Sequence, residues 1–191
     1  MGDTDIRMET VASPMQWLHI YHLYRRAFPP AERKPFSVIV AMWYKGNTDV
    51  WYLTRGDRFA GFATTINSSE LILLDYLAIA PAQRGQGVGS EALRALLERY
   101  AGKGIFVEIE SIYENAPDQK SRLRRRRFYL RSGFSPLGVL ATVFGVKMEL
   151  LGVNCAMDFA RYHAFYRDSY SPRAAQNVEE AFFPDDGAPC G

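Results

Sequence analysis

The chain has 191 residues, of which 48% are hydrophobic and 23% charged, and its formal net charge is +2. This length predicts a single domain with a sizeable core, and the near-neutral charge excludes a molecule that is cationic over its whole surface. Three histidines and two cysteines disfavour a zinc framework or a disulfide scaffold, so we expect no metal. No apolar run reaches the roughly 18 residues of a membrane helix, and no signal peptide is visible. We therefore expect a cytoplasmic protein without a membrane partner.

The first part of the chain predicts one strand and two helices. Residues 5–11 alternate loosely and predict the strand. Ser13 followed by Pro14 is typical of a helix start, because a hydroxyl caps the first turn and a proline loses no hydrogen bond there. Aromatic and aliphatic residues at helical spacing then predict a helix that ends near residue 28, and a second helix follows over 35–44.

The rest of the chain alternates between segments with the two-residue period of strands and segments with the period of about 3.6 residues of helices. Three runs rich in β-branched and aromatic residues predict an antiparallel meander, because short turn sequences separate them. In chain order the pattern predicts strands over 50–54, 59–66 and 71–80, a helix over 87–100, a strand over 104–110, a helix over 118–131, strands near 134–143 and 146–153, and a helix over about 157–170.

These elements predict a mixed α/β (α+β) domain with a mostly antiparallel sheet of about six to seven strands flanked by helices. One domain is expected over residues 1–170, with its core at about 5–153 and a C-terminal helix at about 157–170. The tail over 171–191, which holds proline, glycine and acids, is expected to be irregular.

A glycine-rich segment follows the strand that ends near residue 80 and opens directly into the next helix. Glycines let backbone N–H groups approach an anion, the helix N-terminus adds partial positive charge, and Arg84 adds a full charge. The segment therefore predicts a phosphate or pyrophosphate site. A P-loop is disfavoured because no lysine precedes Ser90, and a dinucleotide fold is disfavoured because only one strand–helix–strand unit surrounds the loop.

The same segment, Arg84-Gly85-Gln86-Gly87-Val88-Gly89, resembles the R/Q-x-x-G-x-G/A signature of the GCN5-related N-acetyltransferases (GNAT). Residues Leu77-Ala78-Ile79 resemble the strand that precedes that signature in the family. The segment from Phe128 to Phe134 resembles the family's later F-Y-x-x-x-G-F sequence. The resemblance covers about residues 5–153 and implies a GNAT-like fold.

The resemblance implies that the protein uses acetyl-CoA as acyl donor and transfers the acetyl group to an amine in a ternary complex. It implies that the loop residues hold the pyrophosphate, and that the Leu77 and Ile79 backbone binds the pantetheine arm. It also implies a cofactor contact by Asn115, although the spacing to the next motif is longer than usual. The implied cofactor residues are Leu77, Ala78, Ile79, Arg84, Gly85, Gln86, Gly87, Val88, Gly89, Ser90 and Asn115.

Candidates for proton transfer follow from what the reaction needs, namely an acid for the leaving thiolate and a base for the amine. The resemblance implies that Tyr129 is the general acid. Without the resemblance, Tyr129 is expected to be a core residue that packs its helix onto the sheet. Glu108 is the preferred base and Asp75 the second, and each could instead pair with a buried arginine or be partly exposed. Glu110, on the same strand face as Glu108, is expected to be less deep and solvated.

The acceptor and other partners are less defined by the sequence. Glu32, between the first two helices, could bind a cationic amine or could be a solvated acid, and the acceptor is a small-molecule or peptide amine. A run of arginines over 122–131 is expected to wrap most of its helix. A non-catalytic acyl-CoA-binding module and an RNA-binding protein using this helix remain the alternatives, although a nucleic-acid partner is disfavoured. Monomer and homodimer both stay open.

Overall fold

A computed structural model describes residues 6–184 of the chain, and it contains six helices and eight strands within that range. The helices are α1 (Pro14–Ala27), α2 (Phe36–Tyr44), α3 (Val88–Arg99), α4 (Gln119–Arg131), α5 (Phe159–Ser169) and α6 (Pro172–Ala175). The strands are β1 (Ile6–Thr10), β2 (Thr48–Arg55), β3 (Arg58–Asn67), β4 (Leu71–Ile79), β5 (Gly104–Glu110), β6 (Ser135–Val143), β7 (Val146–Val153) and β8 (Val178–Ala181).

The strands form one sheet in the order β1-β2-β3-β4-β5-β7-β6-β8. Strands β4 and β5 pair in parallel, whereas the pairs β1–β2, β2–β3, β5–β7, β6–β7 and β6–β8 are antiparallel. This confirms the predicted mixed, mostly antiparallel sheet. The strand count is higher than expected, because an eighth strand comes from the tail.

The expectation of an irregular tail is wrong for its described part. Ser171 caps the short helix α6 by accepting a hydrogen bond from the Ala174 N–H. Strand β8 then pairs with β6, with Val178 opposite Val143. The backbone hydrogen bonds of a pre-existing edge strand therefore order a segment whose own sequence carries little strand signal.

The chain divides into two compact units, and the division falls inside β4. The first unit comprises Met1–Asn67 and Leu74–Ala101, and the second comprises Ser68–Leu73 and Gly102–Gly191. The single domain expected over residues 1–170 stays a prediction.

The core of the first unit packs helices against the strands through alternating side chains. In α1, which begins with a capping box between Ser13 and Gln16, Ile20 and Tyr24 are buried in a cluster that includes Tyr76 of β4. Side chains on the other face of β4, such as Leu77, pack against α3 residues in a second cluster. Both side-chain rows of β4 are thus covered, which explains why its sequence is almost continuously apolar.

The second unit is built around β5, which pairs with β7 over six residues and with β4 over three. On one row of β5, Phe106 makes edge-to-face contacts with Tyr162 and Phe165 of α5. The acids Glu108 and Glu110 continue the same row, because successive alternate residues of a strand point to one face. Two carboxylates are therefore carried on an otherwise core-facing row.

Candidate functional site

The loop between β4 and α3 has the backbone conformation that an anion site requires. After a 3₁₀ turn over Pro81–Gln83, Gly85 and Gly87 adopt positive φ angles of 75° and 81°. Residues with a Cβ rarely take these angles, so glycine is needed at both positions. A Cβ at Gly85 would meet no atom within 4 Å, which shows that the backbone here is open on its outer side.

The N-terminus of α3 is the second part of this anion site. Gly87 is the N-cap residue, and no side chain caps the helix. The N–H groups of Ser90 and Glu91 donate to the Gly87 carbonyl at 2.9 and 3.1 Å. The helix dipole thus ends at an exposed glycine turn, where an anionic group is stabilised.

Polar side chains hold the loop in this shape. The Arg84 side chain is exposed, and its Nε donates to the Ile79 carbonyl at 3.0 Å. The Gln86 amide donates to the Ala82 carbonyl at 3.0 Å and accepts from Arg55 at 3.2 Å. The structure therefore brings the predicted residues from Arg84 to Ser90 together as one contiguous turn with a cationic side chain at its start.

Val88 and the predicted strand residues contribute packing from their side chains. Val88 is buried in the cluster that Leu77 and Ile79 pack against, and Ala78 lies in the cluster on the opposite side of the strand. The parallel ladder from β4 to β5 covers Leu71–Leu73 and ends there. Any contact of residues 77–79 with a cofactor would therefore use their backbone groups, as the resemblance implies.

Asp75, the second candidate base, is already bound to a cation. Its carboxylate lies 2.5 Å from the Lys34 ammonium, and its side chain is only 8% exposed. Tyr76 supports this arrangement, because its hydroxyl accepts from the Lys34 N–H at 3.1 Å and donates to the Glu32 carbonyl at 3.0 Å. Sequence reasoning missed Lys34, although a buried acid in an apolar strand signals that a cation must be near.

Glu32, the candidate acceptor residue, ends the 3₁₀ turn Pro30–Glu32 and is half-buried. Its backbone carbonyl is fixed by Tyr76, whose own hydroxyl accepts from Tyr24 at 3.2 Å. Burial, together with the neighbouring Asp75 charge, raises the pKa of Tyr76 far above its ordinary value. This phenol is therefore a permanent donor that positions the turn.

Glu108, the preferred candidate base, accepts hydrogen bonds from two phenols of α5. The Tyr162 hydroxyl donates to one carboxylate oxygen at 2.5 Å, and the Tyr166 hydroxyl donates to the other at 3.1 Å. Burial, followed by the charge of Glu108, raises the pKa of Tyr162 well above its ordinary value. The two tyrosines were missed, although their spacing of four residues places them on one helix face.

Glu110 contradicts the expectation of a solvated residue less deep than Glu108. It is 4% exposed, whereas Glu108 is half-buried. Its carboxylate forms an ion pair with Arg125 and lies 3.9 Å from Arg122, both on α4. Burial of a carboxylate at this depth requires such cations, so Glu110 anchors α4 to β5.

Tyr129 lies on the inner side of α4 in the second unit and is 9% exposed. Its ring packs against Phe128 and Phe134, and within residues 6–184 its hydroxyl has no hydrogen-bond partner. Burial raises the pKa of this hydroxyl to about 12, and the charge of Arg125 acts in the opposite direction. The phenol is thus fully protonated at neutral pH and has an unused donor.

Asn115 lies exposed in the connection from β5 to α4, and its cofactor contact stays a prediction. Over residues 6–184, no group of three or more histidine, cysteine, aspartate or glutamate side chains could hold a metal ion. In the same range, no helix is both long and apolar enough to cross a membrane.

Known proteins resemble the chain at the level of family and fold. A family model described as the acetyltransferase (GNAT) family matches residues 17–134. The protein YjbC of Bacillus subtilis (strain 168) is 29% identical over 120 residues, which are 63% of this chain and 57% of that relative. The match thus spans little more than half of the relative's length.

Two solved structures share the fold at low identity. A GNAT-family protein from Bacteroides thetaiotaomicron has a TM-score of 0.73 at 20% identity and covers 88% of this chain and 98% of its own. NAA60 of Arabidopsis thaliana, solved with acetyl-CoA, has a TM-score of 0.60 at 13% identity and covers 78% of this chain and 97% of its own. The expected fold is therefore confirmed.

Proposed function

The chain belongs to the acetyltransferase (GNAT) family, and on this premise we propose that it is an N-acetyltransferase that moves the acetyl group of acetyl-CoA to a primary amine. The observation that carries the proposal is the loop in which Gly85 and Gly87 take positive φ directly before the uncapped N-terminus of α3. A pyrophosphate matches this loop in charge and in hydrogen-bonding capacity. This loop conformation is a feature of this chain's own structure and is not inferred from a relative.

Each part of acetyl-CoA, the acyl donor, has a proposed binding segment in the first unit. The backbone from Gly85 to Ser90 would hold the pyrophosphate, and Arg84 would add a cation beside it. The backbone of Leu77 and Ile79 would orient the pantetheine arm, with one N–H placed to stabilise negative charge on the acetyl oxygen. Acetyl-CoA supplies the acetyl group as a thioester, whose carbon–sulfur bond breaks as the bond to the amine nitrogen forms.

For removal of the amine proton we propose Glu108 rather than Asp75. Asp75 is engaged by the Lys34 ammonium at 2.5 Å, so its charge already serves a structural ion pair. Glu108 is instead held by the hydroxyls of Tyr162 and Tyr166. A phenol hydroxyl can donate one hydrogen bond and accept another. The Glu108 carboxylate can therefore receive the amine proton through a chain of hydrogen bonds that includes these hydroxyls.

For protonation of the leaving thiolate we propose Tyr129. Its hydroxyl is protonated at neutral pH and has no other partner within residues 6–184. Donation to a thiolate requires the phenol to become more acidic, and the Arg125 charge acts in that direction. Direct transfer in a ternary complex is favoured over an acyl-cysteine, because burial raises the pKa of Cys155 and keeps that thiol protonated. Cys190 lies outside the described residues.

The acceptor in this proposal is a small-molecule or peptide amine, with Glu32 as the residue that attracts its positive charge. One domain over residues 1–170 and a cytoplasmic location, for which the free thiol of Cys155 is the support, complete the proposal.

A thiol-release assay with acetyl-CoA tests this function. The amine panel contains diamines, polyamines, amino sugars, and peptides with a free N-terminus or an internal lysine. Amine-dependent release of CoA with an acetylated product of matching mass supports the proposal. Binding of acetyl-CoA without turnover on the full panel favours the non-catalytic module instead, and failure to bind acetyl-CoA at millimolar concentration overturns both.

A further inference from the structure

Helix α4 carries a row of four exposed cations that the acetyltransferase reaction does not use. We call Lys120, Arg124, Arg127 and Arg131 the outer stripe. All four side chains are exposed. At about 100° per residue their directions fall within roughly 60° of one another, and along the axis they span about 16 Å. Only Arg124 and Arg127 of the five arginines over 122–127 belong to this row, as expected for a run that wraps most of its helix.

The other arginines of α4 point to the opposite side and have acidic partners. Arg122 and Arg125 approach Glu110, and Arg126 pairs with Glu149 at 2.8 Å. Within residues 6–184, by contrast, no member of the outer stripe forms an ion pair. The helix thus divides into a charge-compensated inner face, which fixes it to the sheet, and an outer face with four uncompensated cations.

We propose that the outer stripe binds the phosphodiester backbone of a single nucleic-acid strand. Four positive charges in one row, in a chain of net charge +2, make a local anion-binding surface that the overall charge conceals. Three of the four are arginines, whose planar guanidinium groups match phosphate oxygens in a bidentate manner. A single row of cations on one helix face can follow the phosphates of one strand along its length.

The absence of an exposed aromatic side chain on α4 indicates that the binding does not involve base stacking. Tyr129 is buried and Phe128 half-buried, so the stripe has no exposed aromatic ring on which a base could stack. Binding is therefore electrostatic, independent of base sequence and strongly dependent on salt. A lipid bilayer is a poorer match, because an interfacial helix needs an apolar face beside its cations and the exposed large apolar side chains within residues 6–184 lie outside α4.

The test measures binding of a fluorescent 12-nucleotide oligouridylate to the full chain by anisotropy between 50 and 200 mM salt. With four phosphate contacts and a slope of about −0.7 per contact, the affinity is expected to fall about 50-fold over this range. The double variant Arg124→Gln/Arg127→Gln keeps two contacts and should fall only about 7-fold. The matched double variant Arg26→Gln/Arg173→Gln removes two exposed arginines elsewhere and should behave like the wild type.

Further arms separate the alternatives. An oligothymidylate of equal length should bind similarly, since the backbone alone is recognised, and the duplex should bind more weakly. Equal loss of affinity in both double variants overturns the proposal. It is also overturned if a 12-residue polyglutamate or an anionic phosphatidylserine vesicle binds more tightly than the oligouridylate, or if saturating acetyl-CoA displaces the oligonucleotide. Circular dichroism and acetyl-CoA affinity should be unchanged in both double variants, which keeps this result separate from the acetyltransferase activity.

Discussion

Tyr129 is the residue on which protonation of the leaving thiolate depends in the proposed reaction. We expect Tyr129→Phe to lower kcat by at least about 100-fold, which is the lower range for loss of a general acid. The affinity for acetyl-CoA should stay unchanged, because the ring still packs against Phe128 and Phe134. Steady-state kinetics with the best amine of the panel, together with calorimetric binding of acetyl-CoA, measure both quantities.

An undiminished kcat in Tyr129→Phe would show that the hydroxyl has only a structural role. The exposed Tyr44, replaced in Tyr44→Phe, serves as the control for loss of a phenol hydroxyl away from the reaction.

Gly87 is the residue whose backbone angle shapes the proposed pyrophosphate site. Gly87→Ala forces a Cβ residue into φ 81° and should cost about 1 kcal/mol of stability. Relief of that strain moves the N–H groups of the loop, so the affinity for acetyl-CoA should fall at least about tenfold, or about 1.4 kcal/mol. Thermal unfolding and calorimetric titration measure the two effects.

Gly46→Ala is the matched control for this change, since Gly46 has a φ of 79° after α2 and an added Cβ would meet nothing within 4 Å. Both variants should lose similar stability, but only Gly87→Ala should lose donor affinity. Similar donor affinity in the two variants would remove the assignment of the loop.

At the scale of elements, a polar contact joins strand β5 to helix α5. Tyr162→Phe deletes the donor of the 2.5 Å hydrogen bond to Glu108 inside the core. A hydrogen bond to a charged group contributes about 2 kcal/mol, so the midpoint of thermal unfolding should fall by roughly 6 °C for a chain of this size. Calorimetry on Tyr162→Phe and on Tyr44→Phe checks this, and equal midpoints would show that the contact contributes nothing.

How far the elements could be predicted depends on how local their signals are. The seven predicted strands and five predicted helices follow from periodicity and turn residues within each segment, and the structure contains all of them. Strand β8 could not be predicted, because its four residues are ordered by pairing with β6 rather than by their own sequence. The same limit explains the single-residue errors at several helix ends, where capping geometry decides.

In the candidate site too, features set by local sequence could be predicted and features set by distant residues could not. The glycine loop is contiguous in sequence, so its conformation could be predicted from residues 84–90 alone. The partners of the acids could not, because Tyr162 is 54 positions from Glu108 and Lys34 is 41 positions from Asp75. Glu110 was misplaced for the same reason, since its depth depends on arginines of a helix that follows it in the chain. Local conformation is readable from sequence, whereas charge compensation across the fold is not.

At the scale of the whole molecule, buried phenols link stability to alkaline pH. Within residues 6–184 the pKa is raised, with burial as the largest cause, for Tyr24, Tyr52, Tyr76, Tyr100, Tyr113, Tyr129 and Tyr162. A raised pKa means that the folded state holds the phenol proton more tightly than the unfolded state does. The stability from these groups is thus fully present below their ordinary pKa of 10.0 and is lost as the pH rises above it.

We therefore expect the free energy of unfolding to begin to fall as the pH approaches the ordinary pKa values of the buried Cys155 thiol and of these phenols, and to fall steeply above about pH 10. Tyr129, with a pKa of about 12, contributes at most about 3 kcal/mol to this fall, because a difference of one pKa unit corresponds to about 1.4 kcal/mol. Urea unfolding at a series of pH values, recorded together with tyrosinate absorbance, measures both the stability and the ionisation. In Tyr129→Phe the fall above pH 10 should be shallower, whereas in Tyr44→Phe, which removes an exposed phenol, it should match the wild type. If most tyrosines ionise near pH 10 while the chain stays folded and equally stable, the phenols are not buried as the structure has them.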